Sequence, residues 1–221
     1  MGFLESLRLA IALGLTIFMV LLRFDAERIM RSDYFRYRTA WFAPLSYYAL
    51  VLLFAVGIAW ILPSGRARLF LTGGPPDSVL PVMLAFSVVA LLNAAALGYL
   101  RFGGIVPLPA ELLPSRILGA AVNAIAEEIQ FRSIVLGMLV FALPTQPGLC
   151  NLVQAVLYGV VHRRLWRDRD WYFLAGAVIL GYAAGAATLA TGSVIPAIVG
   201  HFAVTVSLFA FAGGRLRQRP I

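Results

Sequence analysis

The apolar positions of this chain do not alternate with polar ones as they do in a water-soluble helix or strand. They form long unbroken runs, and no Asp, Glu, Lys or Arg occurs at 39–65, 78–100, 133–162 or 171–214. A helix crosses the hydrocarbon core of a bilayer with roughly 20 such residues, and there every backbone N–H and C=O must find its partner within the segment. The pattern predicts an all-α fold: a polytopic membrane helical bundle of about seven transmembrane helices, with any chemistry housed inside the bundle.

The first run, Leu9 to Leu22, lies between Arg8 and Arg23. It spans only about 21 Å at 1.5 Å per residue, so Phe3 and Leu4 must extend it or it sits tilted. No small-residue cleavage site follows it, which reads as an anchor helix and not a removed signal. Met1-Gly2 with Ser6 also fits the short myristoylation pattern, which a spanning helix makes redundant. A second span is expected from Ala40 to Leu62, stopped by Pro63-Ser64-Gly65, and a third from Val79 to Leu100. A fourth should run from Arg116 to Pro144, a fifth from Gly148 to Leu165, and a sixth from Trp171. After Thr191-Gly192-Ser193 comes a seventh, Val194 to Gly213. No internal repeat interrupts this order. The expected organisation is one integrated domain in three parts: residues 1–78 with an Arg-rich juxtamembrane segment, a helical core at 79–213, and a basic tail at 214–221.

Composition agrees: 61% of residues are hydrophobic and 13% charged, against about a quarter charged in a soluble domain. All 18 basic residues are arginine, a habit of GC-rich genomes that points to a bacterial inner membrane. The net charge of +8 does not imply nucleic acid, because the arginines cluster at the ends of apolar runs; anionic lipid headgroups are the expected partner. If the segment 23–39 is cytoplasmic, fourteen arginines fall on that side and only Arg8, Arg66 and Arg68 on the other. The positive-inside rule then places the C-terminus in the cytoplasm. Cys150 is the sole cysteine, which excludes a disulfide framework and a thiolate metal site.

Arg132 is the one arginine left over, and it lies inside the fourth span with Glu127 and Glu128. Each ionised group near a helix centre costs about 2.5–3.5 kcal/mol on insertion scales, so three together must be offset by specific contacts. Glu128 and Arg132 stand at i and i+4 in the favourable order for a pair on one face. Glu127 has no cation within a turn, which makes it a candidate proton acceptor. Both histidines fall in later spans: His162 ends the stripe Gln154, Tyr158, His162, and His201 pairs with Thr205 at i+4. Asn123 stands one turn before Glu127. Three helices thus carry polar stripes that together could line one wet cavity.

Glu127-Glu128-x-x-x-Arg132, then Tyr158-x-x-x-His162, then His201-x-x-x-Thr205 resembles the three motifs of the CAAX-protease and bacteriocin-processing (CPBP, or Abi) membrane family. Its pattern is Glu-Glu-x-x-x-Arg, Phe-x-x-x-His and His-x-x-x-Asn/Asp on successive core helices. Gly192-Ser193-Val194-Ile195-Pro196-Ala197 resembles the lead-in to the third motif, and the likeness covers residues 80 to 212. Tyr158 and Thr205 depart from the pattern. The resemblance implies a metal-free, glutamate-type intramembrane endopeptidase acting on a membrane-associated peptide: a CAAX-type C-terminus, a leader peptide or a C-terminal sorting signal. It implies that Glu127 and His162 activate a water, that His201 with Thr205 stabilises the oxyanion, and that Glu128, Arg132, Tyr158 and Asn123 support them.

Three alternatives stay open at this level. Glu127, His162 and His201 form a donor set known for catalytic zinc, which would make a metallopeptidase. Thr205 leaves room for a non-catalytic scaffold or immunity protein on the same fold. Glu and His chains also serve proton-coupled transport, although the inverted repeats of many carriers are missing. The spacing sets one further problem. His162 adjoins Arg163-Arg164, whereas Glu127 lies roughly 16 Å beyond Arg116 along a helix. Either the fifth helix continues toward Trp166, or a wet cavity opens to the cytoplasm.

Overall fold

The computed structural model describes residues 2–30, 42–62, 65–165 and 171–217. Arg31, Arg36, Arg38, Trp166, Arg167, Arg169 and Arg219 lie outside them, as do the side chains of Arg28, Arg163, Arg164, Arg215 and Arg217. Among the described residues the fold is all helical, with a single isolated bridge between Leu71 and Ser193 and no strand.

The helices are α1 (Phe3–Met30), α2 (Phe42–Ile61), the short α3 (Gly65–Arg68), α4 (Pro76–Phe102), α5 (Leu113–Glu128), α6 (Leu136–Ala142), α7 (Pro147–Leu165), α8 (Trp171–Thr191) and α9 (Ile195–Arg217). Between α5 and α6, residues Ile129–Val135 continue the helix with π geometry, so the expected fourth span is one run with a widened middle. α4 starts on Pro76, whose missing N–H costs nothing at a first turn. It stops at Gly103, left-handed at φ 69°, whose N–H caps the Tyr99 carbonyl.

The first span corrects in length. α1 runs on past Arg23 to Met30, because Asp25-Ala26-Glu27-Arg28 contains nothing that breaks a helix. Among the described residues four helices are long and apolar enough to cross a membrane, at Phe3–Phe24, Pro76–Arg101, Trp171–Thr191 and Ile195–Gly213, and Leu45–Ile61 is a shorter apolar helix. The run from α5 to α6 carries Arg116, Glu127, Glu128 and Arg132, which sets it apart from those four.

Packing falls into three clusters, two of which include residues of the π segment. Ala12 and Met19 of α1 pack with Val51, Ala55 and Ile58 of α2 against Ile134 and Met138. Phe86 and Ala90 of α4 join Leu180 and Ala184 of α8 and Ala197 and Val204 of α9. Phe131 and Val135 close on Tyr158 and Val161 of α7, with Val20 and Phe24 of α1 against them. The linker after α3 ties two of these regions together: the Ser133 hydroxyl donates to the Leu69 carbonyl, and the Val194 N–H donates to the Phe70 carbonyl at 2.9 Å.

α4 and α9 approach closely at Gly200, where a Cβ would overlap the Phe86 ring. Gly200→Val should therefore destabilise the bundle by about 1–3 kcal/mol, as overpacking does. Thermal unfolding in detergent would register it as a lowered midpoint.

Candidate active site

The π segment explains why this stretch is polar and buried at once. Glu127, Glu128, Gln130, Arg132 and Ser133 are all buried, and single-turn π insertions widen a helix where side chains must be re-aimed, often at functional sites. Gln130 binds α1 and α2 to the segment: its Nε2 donates to the Met19 carbonyl at 3.0 Å, and the Tyr47 hydroxyl donates to its Oε1 at 3.2 Å. Asn123 accepts a hydrogen bond from the Tyr48 hydroxyl, so it faces α2.

Glu127 and Glu128 point into separate networks. Glu127 Oε2 accepts from the Tyr158 hydroxyl at 3.2 Å and stands 3.5 Å from His162 Nε2. Its Oε1 is held by the Arg23 guanidinium of α1. Glu128 Oε1 is 2.7 Å from His201 Nδ1, and its Oε2 is 3.0 Å from Arg132 Nε. That last contact is an ion pair without hydrogen-bond geometry, and the Arg132 terminal nitrogens likewise have no hydrogen-bond partner among the described residues. The guanidinium instead lies over the Tyr158 ring at 4.1 Å, a cation–π contact strengthened by burial.

The α7 stripe is assembled as the i+4 spacing requires. His162 Nδ1 meets the Tyr158 carbonyl at 2.7 Å, and its ring lies 4.2 Å from the Tyr158 ring. Gln154, fully buried, donates from Nε2 to the Gly181 carbonyl at 2.9 Å, fixing α7 on α8. α7 reaches Leu165, and the Glu127–His162 distance puts both groups at one depth. The Thr205 hydroxyl donates to the His201 carbonyl at 3.1 Å.

Arg23 is the residue that reading the sequence misplaced. Counted with the cytoplasmic loop, it is 8% exposed inside the bundle and is the counter-ion that Glu127 lacked locally. A signal was present: Ala12, Thr16, Met19 and Arg23 recur at helical spacing, and all four are buried. Arg23 continues that stripe.

Among the described residues no three His, Cys, Asp or Glu groups are placed to hold a metal ion. A guanidinium already occupies Glu127, and His201 is turned to Glu128 through Nδ1.

Searches of curated proteins and of solved structures returned no match. Residues 109–207, a little under half of the chain, match the family model Rce1-like, type II CAAX prenyl endopeptidase; all three motifs from Glu127 to Thr205 lie within the matched segment, and the match agrees with the family that those motifs resemble.

Proposed function

We propose that the protein is a glutamate-type intramembrane endopeptidase that hydrolyses a peptide bond of a membrane-associated substrate within the helical bundle. The observation that carries this reading is the Glu127–His162 pair. A carbonyl oxygen only accepts, so the contact from Nδ1 to the Tyr158 carbonyl at 2.7 Å places the ring proton on Nδ1. In the neutral ring Nε2 then carries a lone pair, facing a carboxylate oxygen 3.5 Å away. Two acceptors so placed suit a water that donates one O–H to each and keeps a lone pair free for attack. Glu127 takes the proton as general base, and His162 orients the water.

The remaining groups set up that pair. Buried Glu127 and Glu128 are balanced by Arg23 and Arg132, which leaves neither imidazole needed as a counter-charge. Arg132, stacked on Tyr158, holds the ring whose hydroxyl reaches Glu127. His201 ties Glu128 to α9 and so closes the site on that side. Thr205 acts on the helix backbone alone. Thr205→Val, which keeps the shape and removes the hydroxyl, should leave the cleavage rate unchanged.

The family match makes a prenylated C-terminal peptide the first substrate to try. About seven crossings, a bacterial inner membrane and a cytoplasmic C-terminus complete the proposal, on the arginine asymmetry. The test is a quenched fluorogenic peptide bearing a farnesylated cysteine four residues from its C-terminus, incubated with purified full-length protein in proteoliposomes. Cleavage after the cysteine that requires Glu127 supports the reading, and an intact peptide removes this substrate class from it.

A further inference from the structure

We propose that Arg116 and Asn123 form a docking track along α5 for the C-terminal residues of the substrate, with Arg116 binding the terminal carboxylate. This rests on the peptidase reading and on the prenylated C-terminal peptide as its substrate. Arg116, Ala120, Asn123 and Glu127 stand at i, i+4, i+7 and i+11, all on the regular α-helical stretch that ends at Glu128. At 3.6 residues per turn that spacing keeps the four on one face, and Arg116 and Glu127 differ by only about 20° around the axis. Arg116 is exposed, Asn123 half-buried and Glu127 buried. Ala120, between the first two, contributes only a buried methyl group, so no bulky side chain stands on the face between the guanidinium and the amide.

Charge decides what this face can receive. An ionised carboxylate that enters a helical bundle must be paired or stay in contact with water. Arg23 and Arg132, the cations beside the reacting groups, are buried and already matched with Glu127 and Glu128. Arg116 is exposed and has no ion-pair partner among the described residues. Distance agrees with charge. Glu127 lies about 16 Å beyond Arg116 along the helix axis. A peptide cut after the fourth residue from its end carries its carboxylate three residues past the scissile bond, about 10 Å when extended. An extended arginine side chain spans the remaining ~6 Å, and its planar fork binds a carboxylate through two parallel N–H···O bonds. Asn123 stands between. The Tyr48 hydroxyl donates to its Oδ1, which leaves Nδ2 to donate to a peptide carbonyl of the intervening residues. A chain laid along this face places its scissile carbonyl at the Glu127–His162 pair and its charge at the exposed end of the stripe.

The experiment compares two farnesylated fluorogenic peptides, identical except that one ends in a free carboxylate and the other in an amide. Each is given to full-length parent, Arg116→Gln, Arg116→Lys, Asn123→Ala and Glu127→Gln in proteoliposomes. The readout is the ratio of kcat/KM for acid over amide within each protein, which does not depend on how much of that protein is folded. The parent should favour the acid by about 10-fold or more, the size of a hydrogen bond to a charged group, and chiefly through KM. Arg116→Gln should bring the ratio close to one by losing the acid peptide alone, and Arg116→Lys should recover part of the preference. Asn123→Ala should slow both peptides and keep the ratio; parental rates in that variant would overturn the part given to Asn123. A parent without preference, or an Arg116→Gln protein that slows both peptides alike, as a residue that only meets lipid headgroups would, overturns the inference and leaves the peptidase reading standing. Activity in Glu127→Gln would remove both. A parent that cleaves neither peptide removes the prenylated substrate class and the track with it.

Discussion

Glu127→Gln should reduce peptide cleavage by about 10²–10⁴-fold per folded molecule, the range for removal of a positioned general base, while the protein still inserts and accumulates. The amide matches the carboxylate in volume and can still accept from the Tyr158 hydroxyl, which lies 3.2 Å away on Oε2. What it cannot do is take a proton from water. It also removes the anion that Arg23 balances, so part of the packing around α1 has to adjust. The change therefore separates two classes of function: a scaffold on the same fold would keep its cellular effect in this variant, and a peptidase would lose it. Measurement of cleavage alongside thermal unfolding of the same preparation distinguishes lost chemistry from lost protein.

Arg132→Ala should act on the fold instead. Arg132 is fully buried, and it is both the ion-pair partner of Glu128 and the cation over the Tyr158 ring. Its removal leaves Glu128 with His201 alone, in a segment where Phe131, Ile134 and Leu136 are also fully buried. Breaking a buried pair by deleting one partner typically costs about 3–5 kcal/mol, a large share of the stability of a domain. The expected result is poor accumulation in membranes and a strongly lowered unfolding midpoint. The double change Glu128→Gln with Arg132→Met, which removes both charges, should restore much of the loss. A single Arg132→Ala protein that accumulates and unfolds like the parent would contradict the structural role given to this pair.

The helices were legible because a membrane writes its boundaries in charge. Pro63, Gly73-Gly74 and Thr191-Gly192-Ser193 mark the interruptions, and the observed α2, α4, α7, α8 and α9 begin and end within a few residues of the expected spans. Local pairing was legible too, since Glu128 and Arg132 are one helical turn apart and meet as that spacing requires. Partners on other helices were not. Glu127 finds its cation 104 positions away at Arg23, and nothing in an i+4 count reaches that far. The same limit applies to the His201 imidazole, whose partner is Glu128 on another helix.

The π segment was hidden for a different reason. Its seven residues, Ile129–Val135, read as ordinary helix in composition; the widening follows from burying Gln130, Arg132 and Ser133 together, which is a tertiary demand. Thr205 shows the converse. Its short hydroxyl finds the carbonyl one turn back on the same helix, here His201 at 3.1 Å, in the manner common to Ser and Thr. Tyr158, by contrast, adds through its hydroxyl a donor to Glu127 that a phenylalanine would lack.

The measurement that bears most directly on Glu127 as the base of a membrane peptidase is a comparison of peptide termini. Membranes are taken from cells lacking the protein and from the same cells supplied with either the parent chain or Glu127→Gln at equal abundance. The account expects a small set of new termini, at or near membrane-associated segments, in the parent sample and in neither of the others. The same new termini in the Glu127→Gln sample would contradict it.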